Sequence, residues 1–141
     1  MTEEACFYFP AEVHHILHVR EVVNKICLEM GFTPHDSGLI ITAIWEAALN
    51  AVTHGSPGGI KDHVTVRITA DDDVLKVRIT SRNRNFNLPD NKPNLVPTSK
   101  RGRGLPIIYA FMDEVKLIED EDGITMHLMK RLPQSTASLG T

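Results

Sequence analysis

Apolar residues recur at helical spacing between Glu12 and Met30: Val13, Ile16, Leu17, Val23, Ile26, Cys27 and Met30 predict one amphipathic helix, and Gly31 stops it. A second helix is announced by its start. Thr33 stands at the N-cap, Pro34 at the first helical position and Asp36 in the capping-box place. It should run to about Thr53, where Gly55 ends it and GSPGG forms a loop. The period then switches to two. VTVRITA and VLKVRIT alternate apolar and polar residues, and Asp71, Asp72 and Asp73 between them read as a hairpin turn. LPIIYAFM opens a third helix, and EVKLI and ITMHLMK make a last hairpin around EDEDG. At the other end CFYFPA reads as a short strand closed by Pro10.

One stretch breaks the rhythm. Ser81 to Arg101 contains Pro89, Pro93 and Pro97 and little periodicity, and a loop of that length in a compact domain is usually a functional lid or disordered. The order is strand, two helices, two strands, loop, helix, two strands. It predicts an α+β two-layer sandwich, a mixed, mostly antiparallel sheet covered on one face by three helices. We expect a single domain over residues 1–132, a lid at about 86–101, and a disordered tail at 133–141. The 141 residues suffice for one domain with a real core. A net charge of −3 gives the chain no overall attraction to nucleic acid or anionic membranes. No apolar run is long enough to span a bilayer, and the acidic MTEEACFYFP lacks the basic start of a secretory signal, so the cytoplasm is the expected compartment. Cys6 and Cys27 have no metal-type spacing; Cys27 falls on an apolar helical face, as a buried free thiol would.

Candidate chemistry sits on the second helix. Ile40, Ile44, Ala47, Ala48 and Ala51 gather on one side, and Thr42, Glu46, Asn50 and Thr53 on the opposite side. Glu46 and Asn50 are one turn apart. They make either a solvated helix face or a site, since an amide oxygen is a neutral hard ligand suited to Mg²⁺ beside phosphates and a carboxylate can take a proton from a hydroxyl. Gly102 and Gly104, within KRGRGLPII, precede the third helix. They form either a helix-entry turn or an anion cradle of backbone N–H groups, with Arg101 and Arg103 placed to pair with phosphate oxygens or simply solvated.

Taken together, these segments resemble a known family. EAALNAVTHG is similar to the N-box of the GHKL ATPases, the group of sensor histidine kinases and type II topoisomerases. RGRGLPIIYAFMDEV resembles their second glycine box in one branch, the small bacterial anti-sigma factors that are also serine protein kinases. The resemblance runs from FPA to the last strand, with the two motifs in the right order and separation. It implies the Bergerat-type ATPase fold and an ATP-dependent serine/threonine kinase with ATP and Mg²⁺. It further implies that Asn50 holds Mg²⁺, that Glu46 is the general base for the target serine, and that Arg101, Gly102, Arg103, Gly104 and Leu105 hold the phosphates. The implied partners are a sigma factor and a STAS-domain antagonist, often with a homodimer. His54 matches a family position, and we expect it to be packed or helix-terminal.

The chain departs from the family at the first glycine box. There Asp-x-Gly-x-Gly-Phe becomes SRNRNF: Ser81 replaces the Asp that receives the adenine amino group, Asn83 and Asn85 replace glycines, and Phe86 keeps its place. Asn tolerates a left-handed backbone best after Gly, and Ser81 or an Asn oxygen can accept from an amine. Loss of the charged acceptor is worth about 1.5–3 kcal/mol, or roughly ten- to a hundredfold in affinity. Arg82, Arg84, Lys92, Lys100, Arg101 and Arg103 make a basic cluster that serves phosphates, an acidic protein face, or only solvation. Two functions follow: the kinase, or a non-catalytic partner-switching module on the same fold that binds protein partners with weak or no ATP binding.

Overall fold

The computed structural model describes residues 2–82, 101–121 and 123–133, the side chains of residues 2, 101–104 and 120 excepted. Strand β1 (Thr2–Pro10) leads through a single 3-10 turn (Val13–His15) into α1 (Ile16–Met30) and α2 (Pro34–Thr53). A second 3-10 turn (Gly59–Lys61) precedes the hairpin β2 (His63–Asp71) and β3 (Val74–Ser81). Helix α3 (Arg101–Phe111) and the hairpin β4 (Glu114–Asp120) and β5 (Gly123–Arg131) complete the order. Most of the expected lid and the tail from residue 134 on lie outside the described residues.

The elements begin and end where local chemistry directs. Thr33 Oγ1 accepts the Asp36 N–H at 3.1 Å, capping α2 ahead of Pro34. Gly31, at φ 109°, closes α1 while the Phe32 N–H reaches back to the Cys27 carbonyl at 3.0 Å, the longer bond of a Schellman ending. Asp72 takes φ 53° in the β2–β3 turn, a left-handed setting that Asp tolerates better than most side chains. Two expectations shift. The first helix starts at Ile16 rather than Glu12, because Glu12 is extended and the Ala11 N–H is committed to the Asp62 carbonyl at 2.9 Å. Strand β1 is longer than CFYFPA because β2 offers it partners throughout, from Thr2 opposite Asp71 to Pro10 opposite His63.

The five strands form one sheet in the order β1-β2-β3-β5-β4, antiparallel at every pairing instead of mixed. Alternation puts Val64, Val66, Ile68, Leu75, Val77, Ile79, Met126 and Leu128 on the helix-covered face. Against them pack Ile16, Val19, Val23 and Ile26 of α1 and Ile40, Ile44, Ala47 and Ala48 of α2. Helix α2 is central, touching α1, α3, β2 and β3. Burying a residue such as Ile44 or Leu75 contributes about 1.5–3 kcal/mol. Among the described residues no helix is long and apolar enough to cross a membrane.

Candidate functional site

The C-terminal half of α2 carries the polar pair. At 100° per residue Asn50 lies about a quarter turn from the line that Ile44, Ala47 and Ala51 present to the sheet, and α3 packs on α2. Asn50 is therefore 9% exposed, not on the outer face with Thr42 and Thr53 as expected from the helix pattern. Those two threonines are exposed and turn their hydroxyls onto the Gly38 and Leu49 carbonyls, each at 2.8 Å. Glu46, one turn before Asn50, is half-buried.

Asn50 and Ser81 are the polar walls of a cleft between α2 and the sheet; Ala47 and Ala51 line it from the helix and Ile124 and Met126 from β5. Ser81, the last residue of β3, is 7% exposed. It is held by two glycines. A Cβ on Gly55 would collide with Ser81 Oγ and lie 2.7 Å from Ser81 Cβ, and a Cβ on Gly123 would strike the Ser81 carbonyl oxygen. Gly123 also sits at φ 141°, which disfavours any other residue. The Arg82 N–H donates to the Gly55 carbonyl at 3.1 Å, so the end of β3 is pinned to the end of α2.

The end of α2 is capped by its own following residues. The Asn50 carbonyl accepts from the His54 and Gly55 N–H groups at 2.8 and 3.0 Å, and Ser56 Oγ donates to the Ala51 carbonyl at 2.7 Å. His54 is thus a helix C-cap residue. Beyond it the buried Asp62 carboxylate accepts the Gly58 N–H at 2.6 Å and stands 3.5 Å from the Arg82 guanidinium. Arg82 therefore has an acidic partner at the edge of the cleft, and is not simply one more charge of the loop cluster.

Gly102 and Gly104 are placed differently from expectation. They do not precede α3 but fall within its first turn, where the Gly102 N–H belongs to the four that a helix leaves without intrahelical partners. Pro106 lies inside the helix and has no N–H to give the Gly102 carbonyl. Buried Pro106, Ile108 and Met112 and half-buried Leu105 hold the helix to the core. Asn83 and Asn85 lie outside the described residues, as do the side chains of Arg101 and Arg103. The structure brings Asn50 and Ser81 to one cleft; Glu46 lies half-buried one helical turn before Asn50, and α3 packs on the helix that carries both Glu46 and Asn50. Sequence reasoning took Gly55 only as a helix stop and Gly123 only as part of the EDEDG turn, and passed over Asp62, which has no local signal.

Chemically, the arrangement offers a buried neutral amide oxygen, a hydroxyl, a carboxylate one helical turn away and a helix N-terminus, a set suited to an anion with a hard cation. Comparisons with known proteins identify the family. The chain is 29% identical over 141 residues to the serine-protein kinase RsbW of Bacillus velezensis, covering 94% of this chain and 88% of that one. It is 29% identical over 143 residues to the anti-sigma F factor of Bacillus thuringiensis, covering 97% and 98%. In fold it is similar to a crystal structure of the RsbU and RsbW domains of a Mycobacterium tuberculosis protein, with TM-score 0.65, 21% identity and 94% of this chain but 33% of that one matched. A blue-light activated histidine kinase domain from Erythrobacter litoralis gives TM-score 0.56 at 16% identity, over 87% of this chain and 61% of that one. Residues 9–130 match the model of the histidine kinase-like ATPase domain, and the chain belongs to that family.

Proposed function

We propose that this chain is an anti-sigma regulatory factor with ATP-dependent serine protein kinase activity toward a STAS-domain partner, acting as a cytoplasmic homodimer by partner switching. The observation that carries this reading is the burial of the Asn50 amide at the cleft with Glu46 one turn before it. A helix face that merely met solvent would have no reason to turn an amide inward. The names of the Bacillus relatives support the same reading.

The residues fit a magnesium nucleotide. Asn50 offers a neutral hard oxygen, and Gly102 and Gly104 put no side chain between the α3 N–H groups and an anion. When bound, Mg-ATP supplies the transferable phosphoryl group and neutralises part of its charge. The chain's own work is positional. Asn50 would hold the metal, the first turn of α3 and Leu105 would border the phosphates, and Ser81 would accept a hydrogen bond from the base. Glu46 takes the proton of the target serine hydroxyl as its oxygen attacks phosphorus, and ADP departs.

Calorimetric titration of Mg-ATP, beside Asn50→Ala, tests the site. Micromolar binding abolished by the substitution is expected; absence of binding at millimolar nucleotide would leave a protein-binding module without nucleotide chemistry. Glu46→Gln should retain binding and lower phosphorylation of a STAS substrate by about 10²–10⁴-fold. Unchanged phosphorylation would remove Glu46 from the base role.

A further inference from the structure

We propose that Glu12, His14 and His15 bind one divalent transition-metal ion of the zinc class, at a site apart from the α2 cleft. All three lie in the 3-10 turn and its N-cap between β1 and α1. One donor atom from each can be chosen so that all lie within 4.8 Å of one another. His14 Nδ1 stands 3.8 Å from Glu12 Oε2, and His15 Nε2 stands 3.8 Å from Glu12 Oε1.

These separations are informative. They exceed the roughly 2.7–3.2 Å of a hydrogen bond. They approach the edge of about 3.4 Å that a tetrahedron with arms of about 2.1 Å requires. The two imidazoles therefore converge on one carboxylate at the spacing of ligands around an ion. Two His and one Glu are a zinc donor set that leaves a fourth position to water. Magnesium, which favours oxygen ligands, would not compete for the imidazoles.

The turn is partly pre-ordered. The Ala11 N–H donates to the Asp62 carbonyl at 2.9 Å and the His15 N–H to the Glu12 carbonyl at 3.3 Å. The His15 ring lies against Phe9 with centroids 5.5 Å apart, and the His14 ring lies 4.0 Å from His15. His15 is already held against Phe9, so closing the site must bring to rest only Glu12 and the exposed His14. The spacing Glu-x-His-His matches no standard metal motif. It works here because a 3-10 turn stacks residues i and i+3 on one side, which joins Glu12 to His15.

The test is zinc titration of the untagged full chain and of its Cys6→Ser variant, which removes the exposed thiol as a competing ligand. Both should bind one ion per chain in the micromolar range, and cobalt(II) should give a visible spectrum of tetrahedral type. His14→Ala and His15→Ala should each weaken binding about tenfold or more. His35→Ala, at an exposed histidine elsewhere, should not. Saturating zinc should raise the melting temperature of the parent but not of His14→Ala. Because His14 is exposed, that variant keeps the fold, which circular dichroism checks. Absence of saturable binding at submillimolar zinc, binding that survives His14→Ala, or binding lost with Cys6 would overturn the site.

Discussion

Alanine at Gly55 should destabilise the fold by crowding Ser81. The new Cβ would collide with Ser81 Oγ, lie 2.7 Å from Ser81 Cβ, and lie 2.9 Å from the Ala51 carbonyl oxygen. Gly55 is outside the left-handed region, so the penalty is one of space alone. Neither neighbour yields easily. Ser81 ends a paired strand opposite Ile124, and the Ala51 carbonyl already accepts from Ser56 Oγ at 2.7 Å. Overpacking costs about 1–3 kcal/mol, and two backbone-anchored neighbours put this case at about 2–3 kcal/mol. For a chain of 141 residues that is roughly 5–12 °C in melting temperature. Urea unfolding followed by circular dichroism gives the value. Ser81→Gly removes both atoms that Gly55→Ala would strike on that side, leaving the 2.9 Å contact. In that background Gly55→Ala should cost only about 1 kcal/mol, a coupling of about 1–2 kcal/mol. Costs that simply add, or a Gly55→Ala chain within about 0.5 kcal/mol of the parent, would refute the claim that Ser81 fills the space Gly55 leaves.

Ser81→Asp should tighten Mg-ATP about ten- to a hundredfold by restoring a charged acceptor; calorimetry without a gain would place the adenine contact elsewhere. Burial pushes the Cys27 thiol from 9.0 up to about 11, against a smaller lowering by the Ser37 hydrogen bond. The folded chain thus holds that proton more tightly than the unfolded one. The contribution, on the order of 3 kcal/mol, is full below about pH 9 and drains away as pH rises through about 11. At pH 8 alkylation should therefore mark exposed Cys6 rapidly and Cys27 only on unfolding; equal rates in the native protein would contradict it. Thr33→Ala should cost about 1 kcal/mol in urea unfolding and Thr33→Ser much less, since the cap needs only the hydroxyl oxygen.

Much of this molecule is legible from short stretches. Thr33-Pro34 and Gly31 mark helix ends because capping and left-handed turns are settled within a few residues, and the two hairpins follow from alternation around Asp-rich turns. What failed was long-range. Asn50 reads as an outer-face residue until α3, more than fifty positions later, packs on its helix. Strand β1 outgrows CFYFPA because its partner lies some sixty residues downstream. The third helix reads from sequence as opening at Leu105, since glycines and an internal proline are poor helix formers, yet it begins at Arg101. At the candidate site, motif spacing pointed to Glu46, Asn50 and Ser81. The glycine clasp on Ser81 was hidden, because it joins residues 55, 81 and 123 through the tertiary fold.

The strand order has a temporal side. Among the described strands β5 comes last in the chain, yet it lies between β3 and β4, with a partner on each side. As the chain leaves the ribosome, β1, β2, β3, α1 and α2 are all available while the far edge of β3 is bare and β4 has no neighbour in the sheet. The nine residues of β5 act as a keystone: the sheet is complete only with them, and their pairing with β3 sets Gly123 against Ser81. Nascent chains stopped before residue 123 should therefore hold an unfinished sheet edge, the kind of surface that chaperones engage and that pairs wrongly when crowded.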